Sequence, residues 1–486
     1  MNRPYISHYG QCMLNIFFAT PPLSLEKRYG SFAGGGSAAP SLGILMLAAV
    51  ARDDGCDCTV VDASALALSE PELLERLGTA RPDILCLSST TLAIFNASAF
   101  AAAAKRLCPN LIVVIGGPHV TAAPRETMER FAAFDIAVVG EGELTLVELL
   151  RALKDTKTPS TVSGLLCREG EALRDTGRRP FITALDSLPS PAWDLLEGFP
   201  ARYLPAPFKV QQLPAATLVT SRGCPNTCIF CDRSVFGSSC HAYSADYVVR
   251  QIVELHRRYG IREFSFEDDT FITFKTRLKE ICERLIELKL DISWSCLGRV
   301  NHVTPENLRL MRKAGCWQIS FGIESGSQEI LSLINKRVTL DQIRQAVRLS
   351  REAGIRSKGF FILGHPGETR ETLQMTIDFA LELPLDDISV CLMTPFPGTE
   401  LYARAAEFGE FDPDWGNMNL LNVVFVPHGL TREDLESAQK ELIRRFYFRP
   451  RIVADYGKRL LHNPAMVRGL WGGFRSLLQS TRGAST

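Results

Sequence analysis

The first third of the chain alternates continuous apolar runs of strand length with longer segments of helical periodicity. The apolar runs span residues 14–19, 58–62, 84–88, 111–115 and 136–139. The helical segments between them span residues 41–52, 70–77, 95–107 and 124–131. Apolar runs that are continuous, without polar alternation, are typical of parallel strands covered on both faces. Residues 1–155 are therefore predicted to form an N-terminal doubly wound, Rossmann-like α/β domain.

A second alternation of strands and helices occupies residues 216–410. Its predicted strands span residues 217–220, 263–267, 292–297, 318–323, 359–363 and 387–393. Six parallel βα units predict a (βα)6-type partial TIM barrel, with its chemistry at the carboxyl ends of the strands. The preceding proline-containing stretch, residues 156–215, is predicted to be a linker with a small hairpin. Residues 411–486 are predicted to form a mostly helical C-terminal region, with Thr431 and Asp434 as a capping box.

Charge and hydropathy narrow the classes of function. The 486 residues include 54 basic and 54 acidic side chains, so a formal net charge of zero gives no electrostatic reason to expect a nucleic-acid partner. The N-terminus opens no signal peptide, and apolar stretches such as residues 42–51 are too short to span a bilayer, so a cytoplasmic protein is expected. The segment 466–478 mixes apolar and basic residues; packing on the barrel is favoured over contact with a membrane surface.

Three cysteines stand at the start of the predicted barrel in the spacing C-x3-C-x2-C. Cys224, Cys228 and Cys231 directly follow the apolar run 216–220. Clustered soft thiolates select iron–sulfur clusters or zinc. Three cysteines are one short of the four ligands of a closed site, so one iron of a [4Fe–4S] cluster would stay open to another ligand. The alternative is a zinc site completed by Cys240 or His241.

Small and hydroxyl-bearing residues follow the predicted strands of the first domain. The candidates at these strand ends are Ser88, Thr90, Gly116, Gly117, His119, Gly140 and Glu141. Ligands of doubly wound sheets bind outside the carboxyl ends of the strands, and small residues let a large ligand approach the backbone. No G-x-G-x-x-G follows the first strand, which weakens a dinucleotide interpretation. A flavodoxin-like fold that binds a different ligand is the alternative.

Charged, aromatic and glycine residues lie in the cysteine loop and at the ends of the predicted barrel strands. These candidates are Phe230, Glu267, Asp268, Arg299, Glu324 and Gly364. Carboxylates attract a cationic amine, and an arginine fork binds a carboxylate. Any one of these residues alone is typical of a solvated surface, but together they fall at successive strand ends after the three cysteines.

The cysteine spacing and these strand ends resemble the cobalamin (B12)-dependent radical S-adenosylmethionine (SAM) family. Within that family the chain looks like the group that contains the anaerobic magnesium-protoporphyrin IX monomethyl ester cyclase, a likeness that extends to residues 444–450. The resemblance implies that the three cysteines hold a [4Fe–4S] cluster, and that Phe230, Glu267, Asp268, Arg299, Glu324 and Gly364 bind SAM. It also implies that the strand ends of the first domain bind cobalamin. His119 is a candidate for the lower ligand of the cobalt, although a loop histidine that is satisfied within the fold is favoured.

The resemblance further implies a reaction. A reduced cluster cleaves SAM to a 5′-deoxyadenosyl radical, which abstracts hydrogen from an unactivated carbon, and cobalamin donates a methyl group. The expected partners are a small-molecule or lipid-like substrate and an electron donor of the flavodoxin or ferredoxin type. Cys240 is a candidate proton or hydrogen donor, although a structural thiol is favoured. Trp294, Trp317, Phe360 and Tyr402 suggest an apolar cavity, and core packing explains them equally well.

Three other functions stay open at this point. An oxidative cyclisation or rearrangement would use the same cofactors without methyl transfer. A methylthiotransferase would need a second cluster, for which Cys12, Cys56 and Cys86 are crudely spaced. A cobalamin carrier would not cleave SAM at all.

Overall fold

The computed structural model describes residues 13–206 and 209–462. They form two compact units. Within the described residues the first unit contains residues 13–24, 40–203 and 232–241, and the second contains the rest. The segment 466–478, for which contact with a membrane surface was considered, and Cys12 lie outside the described residues. Among the helices that are described, none combines the length and the apolar character needed to cross a membrane.

The first unit is built on a seven-stranded sheet with the order β2-β1-β3-β4-β5-β6-β7. Its strands are β1 (Asn15–Thr20), β2 (Asp57–Asp62), β3 (Ile84–Ser88), β4 (Ile112–Gly116), β5 (Ile136–Val138), β6 (Leu165–Glu169) and β7 (Ala172–Asp175). The helices in the first 155 residues are α1 (Leu25–Tyr29), α2 (Leu42–Asp53), α3 (Glu70–Ala80), α4 (Ile94–Leu107), α5 (Pro118–Ala122), α6 (Pro124–Arg130) and α7 (Glu143–Lys154). Strands β1 to β5 are parallel, as the continuous apolar runs predict.

The hairpin predicted in the segment 156–215 exists, but it does not stand apart as part of a linker. Strands β6 and β7 continue the first sheet in antiparallel orientation beyond β5. The buried side chains of Leu165, Leu166 and Cys167 explain this placement, because they add to the apolar core of the first unit. The compact unit therefore extends to residue 203, well beyond residue 155, where the sequence pattern placed the end of the domain.

The second unit contains a curled, six-stranded parallel sheet with the order β8-β11-β12-β13-β14-β15, a half-barrel. The strands of this unit and its boundary are β8 (Ala215–Leu218), β9 (Ser221–Arg222), β10 (His241–Ala242), β11 (Glu263–Phe266), β12 (Ser293–Gly298), β13 (Cys316–Glu324), β14 (Arg356–Leu363), β15 (Asp387–Leu392), β16 (Gly409–Phe411) and β17 (Phe425–Pro427). Its later helices are α8 (Ala245–Tyr259), α9 (Lys275–Leu288), α10 (Pro305–Lys313), α11 (Gln328–Leu333), α12 (Leu340–Glu352), α13 (Arg370–Glu382), α14 (Glu400–Phe408), α15 (Arg432–Tyr447) and α16 (Pro450–His462).

Helix α16 closes the amino-terminal end of the half-barrel. Its Asp455 forms an ion pair of 2.7 Å with Arg356 at the start of β14. Its Arg459 donates to the carbonyl of Val210, close before β8, and lies 5.6 Å from the ring of Trp317 near the start of β13. The opposite end, where the strands finish, is the end at which barrels of this type place their chemistry.

Candidate functional site

The loop that contains the three cysteines is anchored at its start by a buried carboxylate. Asp268, directly after β11, accepts hydrogen bonds from the backbone N–H of Thr220 (2.6 Å) and the hydroxyl of Ser221 (2.6 Å). The hydroxyl of Thr220 donates to the other oxygen of the same carboxylate at 2.7 Å. Asp268 is fully buried. Its carboxylate, which was predicted to bind SAM, is therefore used to hold the cysteine loop in place.

The middle of the same loop is held by the segment that follows helix α11. The side-chain amide of Asn335 donates to the carbonyl of Thr227 at 2.9 Å. The backbone N–H of Ile229 donates to the carbonyl of Ile334 at 3.2 Å. Hydrogen bonds therefore hold the loop both at its start and in its middle.

The three sulfur atoms occupy different environments. The side-chain amide of Asn226 donates to Cys224 Sγ at 3.1 Å. Cys228 is buried, and its pKa is lowered to about 6, first by a hydrogen bond from the Cys231 thiol and then by the nearby cations Lys336 and Arg299. Cys231 is exposed, although donation to Cys228 and the surrounding protein raise the pKa of its thiol.

The chemistry of the three sulfurs suits an iron–sulfur cluster, in which each thiolate binds a different iron. The lowered pKa of Cys228 also favours the thiolate that a cluster requires.

A buried ion pair lies beside the cysteine loop. Lys336 Nζ donates to Glu324 Oε1 at 2.5 Å, and both side chains are more than nine-tenths buried. The Lys336 ammonium is also 5.8 Å from the centre of the Phe230 ring, and its backbone carbonyl accepts a hydrogen bond from Arg299. Arg299 in turn lies 4.0 Å from Cys228 Sγ. These contacts join Phe230, Arg299 and Glu324 into one network at the carboxyl ends of the strands.

Glu324 adopts a backbone conformation that is unusual for its residue type. Its φ is +68°, immediately after an irregularity in the pairing of β13 with β14. Such strain in a residue other than glycine occurs preferentially at functional sites. Lys336 was missed by the sequence reasoning, because it follows a short helix and no strand-end pattern marks it.

A second buried carboxylate organises the loop after β14. Glu368 Oε2 accepts hydrogen bonds from the backbone N–H groups of Gly364 and His365, the latter at 2.9 Å. Burial raises the pKa of Glu368 to about 7 and lowers the pKa of His365 to about 3. The His365 ring is 5.9 Å from the ring of Phe230, so a neutral imidazole and a phenyl ring lie side by side. Gly364 is thus part of the same edge as Phe230.

Glu267 faces the inside of the half-barrel. Its carboxylate accepts from the hydroxyl of Ser265 at 2.6 Å and forms an ion pair with Lys209 at 3.2 Å. Burial opposes ionisation, but Lys209 and Ser265 together leave the pKa of Glu267 below its ordinary value. Glu267 is therefore an anion within the half-barrel.

The strand ends of the first unit form a different kind of edge. The predicted residues Ser88, Gly116 and Gly140 end or follow β3, β4 and β5, which are neighbours in the sheet. Gly117 has a φ of +101°, and a Cβ there would lie 2.8 Å from the backbone of Ser89. Gly140 has a φ of +90° with open space where its Cβ would be. Gly117 is therefore required by close packing against Ser89, whereas Gly140 leaves open space that a large ligand could approach.

Two of the polar candidates of this edge already have contacts within the fold. His119 is buried, its Nδ1 lies 3.2 Å from the hydroxyl of Thr91, and burial lowers the pKa of its imidazole to about 4. Glu141 is buried and accepts a hydrogen bond of 2.6 Å from the backbone N–H of Ile182. The exposed Thr90 is the candidate of this edge that is most accessible to solvent.

The structure also describes Cys240 and two of the aromatic candidates. Cys240 is half-buried and belongs to the segment 232–241 of the first unit, whereas the three cysteines of the loop belong to the second. Trp294 packs against Phe266 in the core and donates to the carbonyl of Ala314. Trp317 is also buried.

Comparison with known proteins agrees with this geometry. The chain matches the radical SAM superfamily over residues 218–380 and the B12 binding domain over residues 33–150. It is 35% identical to an uncharacterized methyltransferase of Pyrococcus horikoshii, over 91% of this chain and 94% of that protein. It is 30% identical to the anaerobic magnesium-protoporphyrin IX monomethyl ester cyclase of Cereibacter sphaeroides, over 88% of this chain and 69% of that protein.

A solved structure shares the fold. The cobalamin-dependent S-adenosylmethionine radical enzyme OxsB, with aqua-cobalamin and S-adenosylmethionine bound, aligns with 95% of this chain and 72% of its own at a TM-score of 0.72 and 18% identity. The open glycine edge of the first unit suits a corrinoid, and the thiolate environment of the cysteine loop suits a cluster. The chain therefore belongs to the cobalamin-dependent radical SAM enzymes, which use a [4Fe–4S] cluster, SAM and cobalamin.

Proposed function

We propose that this enzyme methylates an unactivated carbon of a small-molecule or lipid-like substrate. The observation that carries the proposal is the agreement in length and sequence with the methyltransferase of Pyrococcus horikoshii, of which 94% is covered. The cyclase of Cereibacter sphaeroides is less similar, and 69% of its length is covered. When bound, the cluster supplies the electron that cleaves SAM, and cobalamin supplies the methyl group.

In this proposal Cys224, Cys228 and Cys231 hold the cluster. Asp268 and Asn335 keep their loop in position before any metal binds. The cations Lys336 and Arg299 stabilise the negative charge of the thiolates, Cys228 first. A flavodoxin- or ferredoxin-type protein is the proposed electron donor.

The buried network of the second unit would bind SAM. Glu324 and Lys336 together offer one anion and one cation, which match the amino and carboxylate groups of the methionyl part. Phe230, with the backbone at Gly364, would face the adenine. Arg299 already donates to the carbonyl of Lys336, so we assign it the role of positioning Lys336, and Glu267 a contact from inside the half-barrel.

The first unit would bind cobalamin on its open edge. Gly140 leaves room for the corrinoid beside the backbone. Gly116 and Gly117 would bring the backbone close to it, and Ser88 and Thr90 would supply hydroxyl groups. His119, which is buried and neutral, would support this edge through its contact with Thr91. Glu141 would do so through its hydrogen bond with the backbone of Ile182.

The test is anaerobic reconstitution with iron, sulfide and hydroxocobalamin, followed by turnover with SAM labelled in its methyl group. Label in an extracted product together with 5′-deoxyadenosine supports the proposal. Formation of 5′-deoxyadenosine with an unlabelled, altered product would instead support the second candidate, an oxidative cyclisation, which the 30% identity to the cyclase favours. No cleavage of SAM by the loaded protein would contradict both.

A further inference from the structure

The side chain of Asn226 lies in the middle of the cysteine loop and donates to a sulfur atom. Its amide nitrogen is 3.1 Å from Cys224 Sγ, and both residues are half-buried. Within the described residues the Asn226 side chain makes no other hydrogen bond. This amide is therefore directed at an atom that is proposed to bind iron.

Other polar side chains hold the backbone of the loop. Asp268 accepts from the backbone N–H of Thr220 and from two hydroxyl groups at the start of the loop. Asn335 donates to both the carbonyl and the hydroxyl of Thr227 in its middle. Asn226 links the loop to no other segment of the described chain. Removing its amide should therefore leave the path of the loop intact.

An N–H group that points at a metal-bound sulfur acts on the charge of the cluster. When a [4Fe–4S] cluster accepts one electron, it gains one negative charge, and the sulfur atoms of its cysteine ligands carry part of that charge. A nearby N–H donor stabilises the reduced form more than the oxidised form, because the hydrogen bond strengthens with the charge on its acceptor. Hydrogen bonds to the sulfurs therefore raise the reduction potential.

The cations beside Cys228 differ from Asn226 because each serves several contacts at once. Arg299 lies 4.0 Å from Cys228 Sγ and also donates to the carbonyl of Lys336. Lys336 is itself paired with Glu324. A change in either cation would therefore disturb the buried ion pair, whereas Asn226 makes no hydrogen bond with that pair. Asn226 is the donor whose effect on the sulfurs can be measured by itself.

We infer that Asn226 is a positioning residue that acts through Cys224 and raises the reduction potential of the cluster. The inference rests on the proposed function only in taking Cys224 as a cluster ligand. The electron comes from the external donor and enters the cluster, and no bond of the protein forms or breaks. A higher potential makes the cluster easier to reduce, so Asn226 favours the state that is ready to cleave SAM.

The experiment is a redox titration of the full-length protein after anaerobic reconstitution with iron and sulfide. Titanium(III) citrate supplies the electrons, and the EPR signal of the reduced cluster is recorded against potential. N226L keeps the approximate size of the side chain but has no donor. We expect its reduction equilibrium to be about tenfold less favourable than that of wild type, a shift of about 59 mV to lower potential.

N226D keeps the shape of the side chain and replaces the donor with a negative charge. Its potential should therefore be lower than that of N226L. The matched control is N422L, because the exposed Asn422 donates a similarly local hydrogen bond of 3.1 Å to the carbonyl of Asn417. N422L should titrate as wild type does.

Iron content separates an effect on potential from damage to the loop. Both variants of Asn226 should keep their iron; if N226L alone loses it, the potential of N226D carries the test. Wild-type potentials in variants with full iron, or loss of iron from both variants, would overturn the role of Asn226. A wild-type protein without a cluster signal would instead overturn the ligand assignment in the proposed function, and this inference with it.

Discussion

The two sheets of this protein present different kinds of residues at the carboxyl ends of their parallel strands. At the carboxyl ends of β3 to β5, the first unit presents glycines and hydroxyls, and its buried histidine is kept neutral. At the carboxyl ends of the half-barrel strands, the second unit presents a thiol with a lowered pKa, a buried ion pair and an arginine. Both edges are formed by parallel strands, so the fold does not explain the difference.

The difference follows from what each edge has to bind. A corrinoid is large, and backbone access matters more than charge, so side chains are removed from its path. SAM and a cluster are small and charged, so they need ionised groups at fixed positions in a low-dielectric site. Removing a charge should therefore weaken ligand binding by the second unit, whereas adding a methyl group should weaken ligand binding by the first.

The largest effect is expected from removing a cluster ligand. C228S should lose most of its iron and reduce cleavage of SAM at least about a thousandfold, because nothing else in the loop can replace the thiolate. Iron analysis after anaerobic reconstitution and a 5′-deoxyadenosine assay measure both. C108S, a half-buried cysteine at the end of α4, is the matched control and should keep its iron. Full iron content in C228S would contradict the assignment of the loop.

The next effect is expected from breaking the buried ion pair. E324Q leaves Lys336 as an uncompensated buried charge, so unfolding free energy should fall by roughly 3–5 kcal/mol and SAM affinity should fall with it. The double variant E324Q/K336M should regain stability but not SAM binding. E382Q, in an exposed pair with Arg344, should cost less than about 1 kcal/mol. Equilibrium dialysis with SAM and urea unfolding test the pair; wild-type SAM affinity in the double variant would refute its role.

Two glycines test the open edge of the first unit. G117A forces a methyl group against the backbone of Ser89 at a positive φ, so it should destabilise the fold by roughly 2–4 kcal/mol. G140A meets no atom, so it should cost about 1 kcal/mol and still weaken binding of hydroxocobalamin by filling the open space. Thermal melts and dialysis separate the two effects. Unchanged cobalamin binding by a folded G140A would place the corrinoid elsewhere.

The smallest effect is a change in pH dependence. The pKa of Glu368 is raised from 4.5 to about 7, so the folded state holds the proton more tightly than the unfolded state. The contribution of this pKa shift to the free energy of unfolding is about 1–3 kcal/mol. It is fully present below about pH 4.5 and is lost as pH rises through 7.

E368Q keeps an acceptor for the backbone of Gly364 and His365 but does not titrate. The loss of unfolding free energy between pH 5 and pH 8 should therefore be smaller in E368Q than in wild type, as measured by urea unfolding. The exposed E410Q is the control. The same pH slope in wild type and E368Q would show that Glu368 is not the titrating group.

Periodicity alone was enough to predict most of the secondary structure. Five parallel strands in the first unit and six in the second appear where continuous apolar runs occur, because parallel strands are buried on both faces. The end of the first domain could not be predicted in this way. Strand β6 pairs with β5, and β7 pairs with β6, through backbone hydrogen bonds. The sequence of these two strands does not encode which edge of the sheet they join.

The sequence by itself determined the family and its cofactors, because three cysteines at fixed spacing and successive strand-end residues are local patterns. Only the tertiary structure decided what those residues do. Asp268 turned inward to hold the cysteine loop, and Lys336 joined Glu324 from twelve residues away. Contacts between distant segments depend on how strands curl and pack, and no short stretch of sequence carries that information.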